Sequence, residues 1–242
     1  MAALTGRFPA LVGFDLMDYS PSRVARGASS TETDKAIRWW REDGGIVTVS
    51  WHWNAPKDLV DTEEVPWWKG FYTKGTTFDL PKAIHDRNSE ERELLIRDID
   101  AAAEQLQRLE DAGVPVLWRP IHEASGEWFW WGAHGPDIHK SLWRLMYDRL
   151  ANHHGLHNLI WVWNGQAADW YPGDQYVDII AEDIYDGEGN HAPQQGKFLQ
   201  ASRYTSAHKL VALSETGALL DVDDLRASSA HWSYFMLWSG HF

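Results

Sequence analysis

The sequence predicts an α/β chain, a parallel barrel of the (β/α)8 (TIM-barrel) kind, incomplete in its strand count. Three observations carry this. The chain has 242 residues, close to the roughly 250 of one such barrel, so a single domain over 1–242 is expected. Short apolar runs alternate with amphipathic helical stretches and no hairpin signals, which calls for parallel strands joined by crossover helices. No Gly-x-Gly-x-x-Gly follows a strand and no phosphate-cradling loop is present, which disfavours a dinucleotide-binding sheet. Only seven strand-like runs can be counted, whereas a closed barrel of this class needs eight.

The elements follow in order. Residues 10–15 are a short apolar run ending in Asp15. The turn-rich polar stretch 18–23 reads as a loop on the active face. Thr33 or Asp34 can cap a helix carrying Ile37 and Trp40, which Gly44-Gly45 stops. Residues 46–53 are rich in β-branched side chains and read as a strand ending near His52. Residues 54–87 scatter Pro, Gly and aromatics without periodicity, so they read as a long loop walling a cleft. Ser89 caps the strongest helix, in which Leu95, Ile99, Ala102, Leu106 and Leu109 form one apolar stripe. Glu90 and Glu91 sit at its positive end and Gly113 closes it. A buried strand follows from Val114, and then a helix from Pro136-Asp137 through Leu150. Strands at 159–164, 177–181 and 210–217 alternate with helices at 195–208 and 221–229. Residues 234–239 form the last strand.

A formal charge of −13 argues against nucleic acid and anionic membranes as partners, since both demand basic patches. The chain has no cysteine, which removes disulfides, thiolate metal sites and cysteine nucleophiles together. No apolar run reaches the length of a membrane span. Met1-Ala-Ala-Leu-Thr-Gly6 lacks the pattern of a signal peptide. That leaves a cytoplasmic protein or a chain that starts after a removed leader. Trp51, Trp53, Trp128, Trp130, Trp131, Trp163 and Trp238 lie at or just beyond the ends of apolar runs. In a parallel barrel those ends form the active face, so several of these indoles, Trp53 and Trp163 included, are expected to line a groove and bind substrate.

The chemistry concentrates in residues 114–132. An apolar run delivers Arg119, His122 and Glu123 within five positions, and Trp128, Phe129, Trp130 and Trp131 follow. Flat indoles pack against the C–H faces of pyranose rings while polar groups fix hydroxyls, so this reads as a sugar site. Glu215 ends a second buried strand. Either carboxylate alone would favour a structural ion pair, for instance Glu123 with Arg119. Together, on separate strands among aromatics, they fit the two-carboxylate logic of glycoside hydrolysis. A carboxyl among aromatics has a raised pKa, while one held by hydroxyl and cationic donors stays ionised. Strand alternation suggests that His122 orients the site from the side rather than touching Glu123. His52 is divided evenly between site and core. His153, His154 and His157 read as structural. His122-Glu123-Ala-Ser-Gly and Trp51-His-Trp53 are not zinc motifs, and neither metal nor cofactor is expected.

Trp118-Arg-Pro-Ile-His-Glu123 followed by Gly126-Glu-Trp-Phe-Trp-Trp-Gly132 resembles the acid/base segment of glycoside hydrolase family 26, whose best-known members are endo-β-1,4-mannanases. Val12-Gly-Phe-Asp15, Ser50-Trp-His-Trp-Asn54, Trp161-Val-Trp-Asn164, Glu182-Asp-Ile-Tyr185, Leu213-Ser-Glu-Thr-Gly217 and the stretch 232–240 extend the resemblance over nearly the whole chain. It implies a retaining (β/α)8 enzyme with Glu123 as acid/base and Glu215 as nucleophile. Arg119, His122, Trp128, Tyr185 and Trp238 would shape the subsite around the scissile bond, with His52 and Asp183 close by. The implied partner is a polysaccharide, β-mannan first, acted on by a secreted monomer. Mixed-linkage β-1,3-1,4-glucan and β-1,3-xylan are alternatives within the family, and a non-catalytic polysaccharide-binding fragment is an alternative outside it. The registration makes the run at Ala10 the second strand of a complete barrel. The first strand and the last helix would then be missing, with an open seam between Ala10 and the final strand.

Overall fold

The computed structural model describes residues 6–187 and 189–238. Seven parallel strands form one sheet in sequential order: β1 (Leu11–Asp15), β2 (Ile46–Trp51), β3 (Val116–Pro120), β4 (Leu159–Trp163), β5 (Ile179–Ile184), β6 (Leu210–Thr216) and β7 (Phe235–Leu237). Each strand is bonded in parallel to the next, the order of a singly wound barrel. The connecting helices are α1 (Pro21–Val24), α2 (Glu32–Asp43), α3 (Leu80–His85), α4 (Glu90–Asp111), α5 (Gly135–Tyr147), α6 (Gln195–Ala201) and α7 (Val222–Ala227). The result is a nearly closed barrel with its helices outside.

Alternation along the strands sorts the side chains into two cores. Leu117, Val162, Ile179, Ala181 and Ala212 form a small cluster, with Leu11, Ile160 and Tyr234 packed against it. Leu117 and Ala181 lie two positions before Arg119 and Asp183, so this cluster is the layer beneath those polar groups. The larger core lies between strands and helices, where Trp118, Trp143, Trp161, Leu95, Ile99 and Leu106 are buried. The apolar stripe of α4 meets it as expected. The Ser89 hydroxyl caps that helix by accepting the Arg92 N–H at 3.2 Å.

Some boundaries differ from the sequence reading. α2 begins after Thr31; Thr33 is buried and donates to Gln105 Oε1 at 3.1 Å, so it braces α2 against α4 instead of capping. Residues 54–87 contain α3, which Asp79 caps by accepting the Lys82 N–H at 2.9 Å. At six residues it is too short to show a helical period. α6 stops at Ala201 rather than near 208, because Ser202 to Thr205 turn back toward β6. β2 ends at Trp51, with His52 and Trp53 beyond it.

Among the described residues no ladder joins β7 to β1. The two strands meet through a side chain: a Cβ placed on Gly13 would lie 3.0 Å from Met236 Sδ. Glycine at 13 therefore lets the thioether fill the seam.

Candidate active site

The register puts the polar groups at one level. Asp15 pairs with Ser50, and Ser50 with Arg119. On the other side a register shift between Glu182 and Asp183 sets Asp183 opposite Glu215. Such irregularities re-aim side chains beside barrel mouths. All these residues sit at the C-terminal ends of their strands, the face on which such barrels carry chemistry.

Arg119 is the centre of the arrangement. Its guanidinium, 1 % exposed, donates through Nη1 to Asp183 Oδ2 at 2.8 Å and through Nη2 to Glu215 Oε1. Burial works against the charge, yet Asp183 and Glu215 hold the guanidinium above its usual value. Removing one partner of so buried a pair would cost about 3–5 kcal/mol. The Tyr185 hydroxyl donates to Glu215 Oε2 at 2.5 Å, and the half-exposed ring forms part of the mouth. The Ser214 hydroxyl donates to Asp183 Oδ1 at 2.6 Å.

Glu123 reaches the same hollow from the turn after β3. That turn holds three non-glycine residues in the left-handed region, Ile121 (φ +42°), Glu123 (+53°) and Glu127 (+58°). Each such residue costs on the order of 1–3 kcal/mol, which the surroundings must offset. The Glu123 N–H donates to Asn164 O at 2.7 Å and also to Asn164 Oδ1 at 3.2 Å. Asn164 Nδ2 donates onward to Ser214 Oγ at 2.8 Å. The Trp128 indole N–H donates to Glu123 Oε2 at 2.9 Å. Its ring crosses Gly126 so closely that a Cβ there would lie 2.0 Å away.

One carboxylate oxygen from each of Glu123, Asp183 and Glu215 lies within 4.8 Å of the other two. That spacing would suit a cation, but Arg119 already supplies positive charge to Asp183 and Glu215. Five of the six carboxylate oxygens accept a hydrogen bond from Arg119, Tyr185, Ser214 or Trp128. Burial, then the neighbouring Glu215 charge, raises the Glu123 pKa. Burial and Asp183 push Glu215 up, against the pull of Arg119 and Tyr185. Burial lifts Asp183 to about 7. Three carboxyls face one guanidinium, so charge balance keeps a proton in the cluster near neutrality.

His52 and His122 form the adjoining wall. Asp15 accepts His52 Nδ1–H and the His52 backbone N–H at 3.1 Å. Burial alone would raise the Asp15 carboxyl, but its bonds and attraction to His52 hold it below the usual range. The His122 ring meets that of His52 edge-on at 4.6 Å. Burial, then Arg119 and His52, push His122 well below the usual imidazole pKa, so it is neutral. The Trp238 ring lies 5.9 Å from His52.

Arg119, Glu123, Asp183, Tyr185, Glu215 and Trp128 thus converge, with His52, His122 and Trp238 beside them. Trp53 and Trp163 do not. Trp53 is fully buried, stacks on Trp51 at 4.3 Å and donates to Asp98 Oδ2 at 2.9 Å. Trp163, also fully buried, packs edge-on against Tyr171 and Tyr204 at 5.1 and 5.7 Å. Trp51, Trp130 and Trp131 are likewise at most 2 % exposed, so none of the five presents a face to a ligand. The expectation of an indole-lined groove is corrected to Trp128 and Trp238: strand alternation turns Trp51 and Trp163 into the outer core, and Trp53, Trp130 and Trp131, in the turns beyond β2 and β3, pack into the same core.

The family model of glycosyl hydrolase family 26 matches residues 1–242. The chain belongs to that family. It is 54% identical over 238 residues to a mannan endo-1,4-beta-mannosidase of Thermothelomyces thermophilus, covering 98% of this chain and 49% of that protein. It is 36% identical over 240 residues to mannan endo-1,4-beta-mannosidase B of Piromyces sp, covering 98% and 40%. Among solved structures it is similar to a Podospora anserina GH26-CBM35 beta-(1,4)-mannanase, with TM-score 0.95, 51% identity and coverage of 98% and 53%. A beta-mannanase from a symbiotic protist of the termite Reticulitermes speratus, complexed with gluco-manno-oligosaccharide, superposes with TM-score 0.86 at 38% identity, over 99% and 73%. The chain spans about half the length of the curated relatives it matches.

Three residues of this candidate site were not named as site residues by the sequence reading: Asp15, Asn164 and Ser214. Each ends or nearly ends a strand, which was the available signal. Among the described residues no helix is long and apolar enough to cross a membrane.

Proposed function

We propose that this chain carries the catalytic site of a retaining endo-β-1,4-mannanase, with Glu215 as nucleophile and Glu123 as acid/base. The observation that carries the reading is the approach of Glu123 and Glu215, whose nearest oxygens lie within 4.8 Å. Retaining glycosidases keep their carboxyls about 5–5.5 Å apart, whereas inverting ones leave a water-sized gap of roughly 6.5–9.5 Å. The roles divide by donors. Glu215 receives a cationic and a phenolic donor, which orient it and favour its ionised form. Glu123 receives the indole N–H, and burial, then the Glu215 charge, raise its pKa against that donor, so it takes the proton.

In the first step a Glu215 oxygen bonds to the anomeric carbon as the glycosidic C–O bond breaks. The Glu123 proton passes to the departing oxygen. In the second, Glu123 takes a proton from water, the water oxygen bonds to the anomeric carbon, and the Glu215 ester is released. Asp183, buried behind Arg119, would act by holding that guanidinium rather than by touching sugar. Trp128, Tyr185 and Trp238 would seat the rings flanking the bond, with His52 and His122 supporting them.

Mannan as substrate, and action outside the cell as a monomer, rest on the relatives' names and the family resemblance. Reducing-sugar release from mannan, lichenan and β-1,3-xylan tests the substrate; preference for lichenan or xylan would overturn mannan alone. Proton NMR of the first product should show the β anomer; an initial α anomer would sink the retaining mechanism. Glu215→Ala should abolish turnover and leave oligosaccharide binding intact by calorimetry.

A further inference from the structure

The long segment 54–87 meets the acid/base turn through residues 71–73. Residues 71–73 run antiparallel beside 127–130, with a bridge between Tyr72 and Phe129. The Trp130 N–H donates to Phe71 O at 3.3 Å, and the Thr73 N–H donates to Trp128 O at 2.8 Å. The Thr73 hydroxyl donates to Glu127 O at 2.6 Å. Thr73 therefore grips two consecutive carbonyls. The first belongs to Glu127, held at φ +58°, and the second to Trp128, whose indole bonds Glu123.

Packing alone does not fix that indole. Trp128 is 47 % exposed, rests on Gly126 and meets Phe129 only edge-on at 6.3 Å. A left-handed residue immediately before it stores strain that would relax if the backbone were freed. Thr73 itself is anchored, since Tyr72 stacks on Phe129 at 5.6 Å and 22°. We infer that Thr73 is a positioning residue for Glu123: its two bonds hold residues 127 and 128 so that the Trp128 N–H meets the acid. This deepens the reading above and rests on Glu123 being the group that protonates the leaving oxygen.

The test exploits the leaving group. A sugar departs only if Glu123 gives its oxygen a proton as Glu215 bonds to the anomeric carbon. Dinitrophenolate departs with the electron pair and needs no proton. The kcat/KM values of wild type, Thr73→Val, Thr73→Ala and Thr73→Ser are to be measured on a manno-oligosaccharide and on 2,4-dinitrophenyl β-mannobioside, with unfolding curves for each variant. Loss of one hydroxyl bond should lower kcat/KM of the Val and Ala variants roughly three- to tenfold on the oligosaccharide. On the aryl glycoside the change should stay within about twofold, since acid assistance is not used there. Thr73→Ser should restore the oligosaccharide rate. Equal losses on both substrates would mean direct sugar contact or general damage and would overturn the inference. So would unchanged oligosaccharide hydrolysis in Thr73→Val, or failure of serine to rescue. A wild-type chain inert on both substrates would bring down the hydrolase reading and this inference with it.

Discussion

The amide of Glu123 is held by both oxygens of Asn164, at 2.7 Å to the backbone carbonyl and 3.2 Å to the side chain. The Asn164 amide continues through Ser214 to Asp183, so one chain of bonds ties the Glu123 turn to the Arg119 cluster. This explains how a carboxylate-bearing residue can sit at φ +53° without the turn relaxing.

Asn164→Ala should therefore act on stability and activity together. It leaves the Glu123 N–H with the backbone acceptor alone and strips Ser214 of a donor inside the barrel. A loss of about 1–3 kcal/mol is expected from urea unfolding. Mannan hydrolysis should fall by more than the fraction unfolded explains. Asn164→Asp keeps the acceptor but replaces the amide donor with another negative charge beside Asp183. It should be worse than alanine at neutral pH and approach it in acid.

Tyr185→Phe isolates the phenolic bond to Glu215. The ring stays at the mouth, so KM should change little. A hydrogen bond to a charged group contributes about 1.5–3 kcal/mol, so kcat/KM should fall roughly ten- to a hundredfold. Losing Tyr185 also removes a donor that favours the ionised form of Glu215, the proposed nucleophile, so the acid limb of the kcat/KM profile should move to higher pH. A pH profile of both proteins checks the shift, and an unmoved limb would count against Glu215 as the ionised partner.

The strands were legible because burial on both faces leaves short continuous apolar runs, and the major helices because a stripe such as that of α4 buries one face and writes its period into the sequence. Glu123 and Glu215 were legible as carboxylates ending buried strands, where a charge must meet a cavity or a partner. The fate of the tryptophans was not. Trp53 and Trp163 stand beside His52 and Asn164, and a one-residue step along a strand decides inward from outward. Asp15 and Ser214 were legible as polar groups near strand ends but not as members of the site, because they act on His52, Asp183 and backbone groups, partners that appear only once strands are neighbours. Helix α3 was hidden because a single turn and a half carries too few apolar positions to show a repeat.

Two buried groups should give opposing pH slopes to stability. Burial raises Asp98 from 3.8 to about 6. Its folded pKa lies above the unfolded one, so its contribution is full below pH 3.8 and is lost as pH rises through 6. Burial lowers His139 from 6.5 to about 4, so its contribution is full above 6.5 and is lost as pH falls through 4. Each is worth on the order of 3 kcal/mol, and between pH 4 and 6 they offset each other. Asp98→Asn should make stability rise more steeply with pH in that window, and His139→Gln should make it fall. Urea midpoints at half-unit pH steps would show it; parallel slopes in the two variants would contradict the assignment.

The seam between β7 and β1 offers the last test. Among the described residues no ladder spans it, so its closure depends on how closely Met236 can approach Gly13. With the position of a Cβ already 3.0 Å from Met236 Sδ, Gly13→Val must displace the thioether. Overpacking of this kind costs about 1–3 kcal/mol. Met236→Ala alone should also destabilise, because it empties the space that the glycine leaves. The double variant should be more stable than the sum of the singles predicts, since the valine fills the room the methionine vacated. A coupling of about 1 kcal/mol or more in a urea-unfolding cycle would establish that the two strands touch in solution. Simple additivity would mean that the barrel stands open there and that its mouth is held by the six bonded strand pairs alone.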